Sequence, residues 1–280
     1  MQQRLTIGLI GENISRTRLP AALEIMCAQH GLFLSFTPID SKGNDTFDFN
    51  ATVTQVIADG WDGVTVTHPF KLDAAKTAGN NAPQGAGGTR LAASNLLKFS
   101  DPLMAYNTDY SGFIHMWRRL SDKAPGRVAM AGAGGVANAI GPALIQLGAE
   151  SLTIWDVDNT RADELARSLG PTAQAIDIEQ AEAACLSSNG LINATSLGMA
   201  GYGGTAFEPH WLSRASWAFD AVYTPSMTPF LTAAQNAGLT CLSGFSLFQS
   251  MAIETFTTYT NLPVDGDDII PKLEVLRPDD

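Results

Sequence analysis

With 280 residues the chain can form two domains of ordinary size, and 45% hydrophobic against 16% charged residues suits globular cores and excludes both a disordered chain and a membrane span. A formal net charge of −11 with no basic stripe repels polyanions, so nucleic acid is not an expected partner. Cys27, Cys185 and Cys241 have no paired spacing and are expected to be buried small apolar residues. The four histidines lack metal-ligand spacing, and no metal is expected.

The N-terminus runs straight into a strand over residues 5–10, too short for a secretory apolar core, so a cytoplasmic location is expected. A helix over 21–29 follows, with Pro20 at its start and Gly31 past its end. Ser15 and Thr17 sit beside that helix N-terminus, where alternating hydroxyls read either as caps or as ligands for a carboxylate. A strand over 32–39 and a helix over 49–58 lead to Gly63-Val-Thr-Val-Thr-His-Pro-Phe-Lys71. Its alternating valines and threonines make a strand that His68-Pro69 ends. Lys71 thus emerges just past a strand end, where sites are commonly built, although in isolation it reads as a solvated lysine.

Turn residues over 82–88 precede an expected strand over 92–99 and a hairpin through Ser100-Asp-Pro102 that returns to Tyr106-Asn-Thr-Asp109. Asn95 in that apolar strand is either a satisfied core amide or a substrate ligand. Asp109 opens a helix over 110–120, and the short polar stretch 121–126 is the expected crossing into a second domain.

There the apolar strand 128–131 breaks into Gly132-Ala-Gly-Gly-Val-Ala137 and a helix over 136–147. Gly132, Gly134 and Ala137 occupy the small positions of a G-x-G-x-x-G/A turn, which provide a tight bend, backbone access for a pyrophosphate and close helix-on-strand packing. The N–H groups of Ala133, Gly135 and Val136 then face the phosphates at a helix N-terminus. A strand over 151–155 ends at Asp156 and Asp158, about twenty residues on, where a carboxylate grips a ribose diol. A 2′-phosphate beside carboxylates is repelled, so NAD is expected over NADP, with Arg161 as the counter-argument. A helix over 160–168 and strand ends at 191–195 and 218–223 follow, putting Thr195, Leu197, Val222 and Tyr223 at the carboxyl edge of the sheet. A helix over 227–238, a strand over 239–242 and a last helix over 247–259, returning to the first domain, complete an alternation that predicts a doubly wound parallel sheet.

In this order, over nearly the whole chain, the motifs resemble the shikimate/quinate dehydrogenase family. Ser15-Arg-Thr17 resembles its paired hydroxyls for the substrate carboxylate, and Val66-Thr-His-Pro-Phe-Lys71 its V-T-x-P-x-K signature. The resemblance puts Lys71 at the catalytic lysine, Thr67 at a substrate contact and Asn95 at the asparagine of A-V-N-T. Asn107-Thr-Asp109 matches the N-T-D whose aspartate completes the acid–base pair. Gly132 to Ala137, Asn193-Ala-Thr-Ser-Leu-Gly-Met199, Asp220-Ala-Val-Tyr-Thr-Pro225, Gly244 and Leu247 fall at cofactor or cleft positions, with Tyr223 toward the substrate.

The departures are Thr65 for asparagine, Ser94 for valine, Leu96 for threonine, and Met251 where the family offers a substrate-binding glutamine, with Gln249 displaced to another face. Thr17 replaces the commoner serine, as in the quinate-accepting branch. The resemblance implies an α/β substrate domain of residues 1–110 with 244–280, and a Rossmann-type domain of 111–243. It further implies hydride transfer between NAD and a small anionic cyclic polyol, and a homodimer. The alternatives are a related dehydrogenase for another cyclic hydroxy acid, motivated by Met251 and Thr65, and a non-catalytic NAD-binding sensor, against which Lys71 and Asp109 argue.

Overall fold

The computed structural model describes residues 3–278. The chain divides into two compact units, Met1–Gly112 with Gln249–Leu276, and Phe113–Phe248 with Arg277–Asp280. Relative to the division that the resemblance implies, residues 111–112 join the first unit, while 244–248 and 277–278 join the second.

The first unit holds β1 (Arg4–Gly11), α1 (Leu19–Gln29), β2 (Phe33–Asp40), α2 (Phe49–Ala58), β3 (Gly63–Val66), α3 (Lys71–Thr77), β4 (Leu96–Lys98), β5 (Met104–Tyr106) and the start of α4 (Thr108–Leu120). Its sheet has the order β2-β1-β3-β4-β5, with the first three strands parallel and the last two antiparallel. Every residue of β3 is buried, as a central strand covered on both faces requires. Val53 and Val56 of α2 pack with Ile10, Val64, Val66 and Leu97. Asp48 caps α2 by accepting from Ala51 N at 2.9 Å.

The strand expected over 92–99 is corrected to Leu96–Lys98. Ahead of it, Ser94 Oγ donates to Tyr106 O at 2.8 Å and Asn95 Oδ1 accepts from Thr108 N at 2.7 Å. The Asn95 backbone still bonds on both sides, its N–H to Tyr106 O at 3.1 Å and its carbonyl accepting from Val66 N at 2.8 Å, and the short polar side chains add to these bonds.

The second unit contains β6 (Arg127–Ala131), α5 (Ala137–Gln146), β7 (Ser151–Trp155), α6 (Asn159–Leu169), β8 (Ala173–Ala175), α7 (Ala181–Leu186), β9 (Gly190–Asn193), β10 (Trp217–Asp220), α8 (Pro229–Asn236) and β11 (Thr240–Ser243). Helix α9 (Gly244–Thr260) begins here, and its residues from Gln249 onward belong to the first unit, as does α10 (Gly266–Leu273). All six strands are parallel in the order β11-β10-β9-β6-β7-β8. The order reverses between β6 and β9, which makes their carboxyl ends the switch point of a doubly wound sheet.

Strand β8 and helix α7 are too short to show periodicity in the sequence. Helix α9 starts at Gly244, ahead of the expected residue 247, because Ser243 Oγ caps it by accepting from Ser246 N at 3.2 Å. One cysteine expectation is corrected: Cys27 and Cys185 are buried, whereas Cys241 is exposed. It lies on β11, the edge strand, where Thr240 beside it is also exposed. Among the described residues no helix is long and apolar enough to cross a membrane.

Gly190 of β9 lies opposite Trp217 of β10. A Cβ at Gly190 would land on the Trp217 indole, whose Nε1 is tied to Pro125 O at 3.1 Å. Gly190→Ala should therefore cost roughly 1–3 kcal/mol, the usual range for overpacking, read from urea unfolding. An unchanged midpoint would show that the indole moves aside freely.

Candidate functional site

Two helix starts in the first unit bring an amine to an acid. Lys71 is the first residue of α3, and Asp109 stands in the first turn of α4. Lys71 Nζ donates to Asp109 Oδ2 at 2.6 Å, with the side chains 26% and 15% exposed. The loop before β4 holds both ends. Ser94 N donates to Lys71 O at 2.8 Å, and Asn95 Oδ1 accepts from Thr108 N at 2.7 Å and from Thr108 Oγ1 at 3.2 Å. Asn107 Oδ1 accepts from Tyr110 N at 3.1 Å, and its Nδ2 donates to Ala93 O at 3.0 Å. Asn95 is therefore a satisfied amide on its oxygen side, while its Nδ2 has no acceptor among the described residues. A half-buried amine in contact with a carboxylate can take a proton from a hydroxyl and return it.

The other expected substrate residues are placed as follows. Thr67, half-buried, continues from β3 with its N–H on Ile10 O at 2.9 Å. Ser15 lies exposed in a 3-10 turn, Ile14–Arg16, and its hydroxyl makes no hydrogen bond among the described residues. Thr17 Oγ1 accepts from Leu19 N at 3.3 Å, so it serves the start of α1. Beneath this turn, the N–H of Lys42 above all, with those of Ile14 and Asn13, holds the Asp40 carboxyl below its ordinary value. Thr65 gives its hydroxyl to Gly8 O at 2.9 Å, and Gln249 donates to Ile270 O at 3.2 Å and Glu274 Oε1 at 3.0 Å. Neither is open to a ligand. Met251 is half-buried, with Thr255 Oγ1 3.6 Å from its sulfur. Its backbone nitrogen would lie 2.9 Å from a Cβ at Gly112, so α4 and α9 approach closely there.

In the second unit, Gly132 has φ 97, and a side chain there would meet the backbone of Ala194 at 2.8 Å. Only glycine fits both constraints. At Gly134 and Gly135 a Cβ would meet nothing within 4 Å, so this backbone is open to a ligand at the start of α5. Asp156 accepts from Ala133 N at 2.7 Å and Asp158 N at 2.9 Å, tying the glycine turn to the end of β7. Asp158 caps α6 through Thr160 N at 3.0 Å and holds Arg161 Nε at 3.3 Å. Leu247 is buried, and a Cβ at Gly244 would collide with Ala221 O. Tyr223 belongs to this unit and stacks on Phe248 with centroids 6.2 Å apart. Backbone access, a helix N-terminus and a carboxylate at the second strand end together fit a dinucleotide.

Sequence reasoning missed the polar side chains that support these loops. Asn193 and Asp220, neighbours on β9 and β10, are joined from Asn193 Nδ2 to Asp220 Oδ1 at 2.9 Å, and Thr228 Oγ1 donates to Asp220 Oδ2 at 2.6 Å. Their signal was available, since an aspartate closing the apolar run Trp217-Ala-Phe-Asp220 must find donors once buried. Burial outweighs the bonds from Thr228, Val222 and Asn193 and pushes the Asp220 carboxyl up to about 6.

A doubly wound sheet with a glycine turn at its switch point, in one chain with an amine–acid pair, defines a dinucleotide-dependent oxidoreductase. No family model matches the chain. It is 30% identical over 275 residues to the quinate/shikimate dehydrogenase (NAD(+)) of Corynebacterium glutamicum, covering 95% of this chain and 96% of that one. It is also 30% identical over 262 residues to the shikimate dehydrogenase (NADP(+)) of Maricaulis maris, with 91% and 90% covered. The solved quinate dehydrogenase from Corynebacterium glutamicum in complex with NAD superposes with a TM-score of 0.89 at 27% identity, over 98% of this chain and 99% of that one. The chain belongs to the quinate/shikimate dehydrogenase family and is an oxidoreductase acting on a CH–OH group.

The raised Asp220 carboxyl sets a pH dependence. Its folded value, about 6, lies above the ordinary 3.8, so between these values the native state binds more protons than the unfolded chain. This residue therefore lowers stability as pH rises from 3.8 to about 6. Urea unfolding of the wild type and of Asp220→Asn across that range should show the difference moving in the variant's favour as pH rises. A constant difference would mean that the carboxyl titrates normally.

Proposed function

We propose that the protein transfers a hydride between NAD and a ring hydroxyl of a carboxylated cyclic polyol, shikimate or quinate, with Lys71 and Asp109 as the acid–base pair. The observation that carries this reading is the 2.6 Å contact between the two side chains, in a chain whose Corynebacterium relative is named for quinate, shikimate and NAD. In oxidation the pair hydrogen-bonds the reacting hydroxyl and takes its proton as the carbonyl forms; in reduction it returns that proton. NAD, when bound, exchanges the hydride. Asn95 Nδ2 is an available donor for another ring hydroxyl, and the Ser15 and Thr17 hydroxyls suit the carboxylate.

Gly134, Gly135 and the start of α5 would hold the pyrophosphate, and Asp156 the adenosine ribose. The carboxylates favour a free diol over a 2′-phosphate, and Arg161, whose cation could turn toward such a phosphate, is held by Asp158 at 3.3 Å. A homodimer completes the proposal and is read by sedimentation equilibrium.

A second reading, a different cyclic hydroxy acid, is favoured by Met251 and by the Thr65 hydroxyl being spent on Gly8 O. Fewer side-chain donors for the ring should appear as tolerance for analogues lacking one hydroxyl.

Lys71→Ala should lower kcat by roughly 10²-fold or more, the usual scale of acid–base catalysis. If kcat survives and only KM rises, Lys71 binds substrate and does no proton transfer. Initial rates for quinate and shikimate, each with NAD and NADP, should favour NAD. Equal kcat/KM with NADP would overturn the cofactor assignment.

A further inference from the structure

At the carboxyl edge of the second unit, the ends of β6, β9 and β10 are in register, with Ala131 beside Asn193 and Asn193 beside Asp220. Asp220 is wholly buried, and its two oxygens accept from three donors: Asn193 Nδ2 at 2.9 Å, Val222 N at 2.9 Å and Thr228 Oγ1 at 2.6 Å. A carboxylate can only accept, so Asn193 must turn its NH2 toward Asp220 and its oxygen away. That oxygen then accepts from Thr195 N at 3.1 Å and Thr195 Oγ1 at 2.6 Å, while Nδ2 also reaches Leu197 O at 3.0 Å. Thr195 Oγ1 accepts in turn from Leu197 N at 3.0 Å. One buried carboxylate thus decides an amide's orientation, and the amide decides the shape of the turn above it.

We propose that Asp220 is a positioning residue for the dinucleotide: from beneath the sheet edge it locks the loops after β9 and β10 together in the form that receives the cofactor. This rests on the proposed NAD site at the carboxyl edge of this sheet, where the resemblance puts Thr195, Leu197 and Val222. A purely structural role explains the residue poorly. The carboxyl is pushed up to about 6 by burial, so at neutral pH its ionised form is held at a cost in stability. An apolar side chain would fill the same space without that cost, but it would release the Asn193 amide and the Val222 N–H.

The test compares wild type, Asp220→Asn, Thr228→Val and Thr228→Ser by calorimetric titration with NAD, circular dichroism, and KM for NAD and for quinate measured separately. Asparagine leaves one acceptor oxygen for three donors, so folded D220N should bind NAD about tenfold more weakly, the scale of one lost hydrogen bond to a charged group. KM for NAD should rise in parallel while KM for quinate stays within about twofold. T228V should move the same way by less, and T228S, which keeps the hydroxyl that also caps α8, should restore wild-type affinity. A folded D220N with wild-type NAD affinity, or equal rises in both KM values, overturns the proposal. If D220N does not fold, T228V decides by the same measurements; if neither folds, Asp220 is a core residue only and the proposal fails. Wild type that binds neither NAD nor NADP overturns the cofactor reading as well, which separates the two failures.

Discussion

The 2.6 Å ion pair of Lys71 and Asp109 keeps one geometry only if the backbone beneath each side chain is held still, and here a single loop holds both. Residues 93–95 bond to Lys71 O on one side and to Thr108 and Asn107 on the other, so the starts of α3 and α4 are referred to the same segment. Ionic attraction alone would not do this, because two half-exposed side chains on independent helices spend much of their attraction on rotamer entropy. Asn95 is the centre of the arrangement. Its oxygen accepts from the N–H and hydroxyl of Thr108, and its amide nitrogen has no acceptor among the described residues.

The second unit solves a different problem with the same economy of parts. The glycine turn after β6 leaves its backbone bare, and bare backbone is mobile unless something else restrains it. The restraint comes from beneath and beside: Gly132 is wedged against Ala194, Asp156 takes the Ala133 N–H, and Asn138 Nδ2 donates to Gly134 O at 2.9 Å. Gly134 and Gly135 can then remain open without the turn losing its shape. Asp220 and Asn193 do the same for the neighbouring loops, and so the switch point carries buried polar side chains where an ordinary sheet edge would carry apolar ones.

The departures from the family pattern also have a physical reading. Thr65 stands where the family has asparagine and Gln249 is displaced from the glutamine position, and the fold uses both internally, one bonded to Gly8 O and the other to Ile270 O and Glu274. Met251, by contrast, presents a thioether where a donor was expected, and its position follows from Gly112 letting the helix backbone come close. The hydroxyl of Thr65 and the amide nitrogen of Gln249 are thus consumed by the fold itself.

Local sequence chemistry by itself determined the strand-to-turn-to-helix step at Gly132, the acidic end of β7, and the placing of Lys71 and Asp109 just past strand ends, because each depends on residues adjacent in the chain. The six parallel strands of the second sheet were legible for the same reason, apart from short β8. Partnerships were not legible. Asn95 could have been a core amide or a ligand, Asp220 was a letter in a motif, and Cys241 read as buried until its strand proved to be an edge. Which donor meets which acceptor, and which strand lies outermost, depends on residues far apart in sequence becoming neighbours. Only the packed tertiary structure decides that, since burial is what makes an unpaired polar group costly and so forces each partnership.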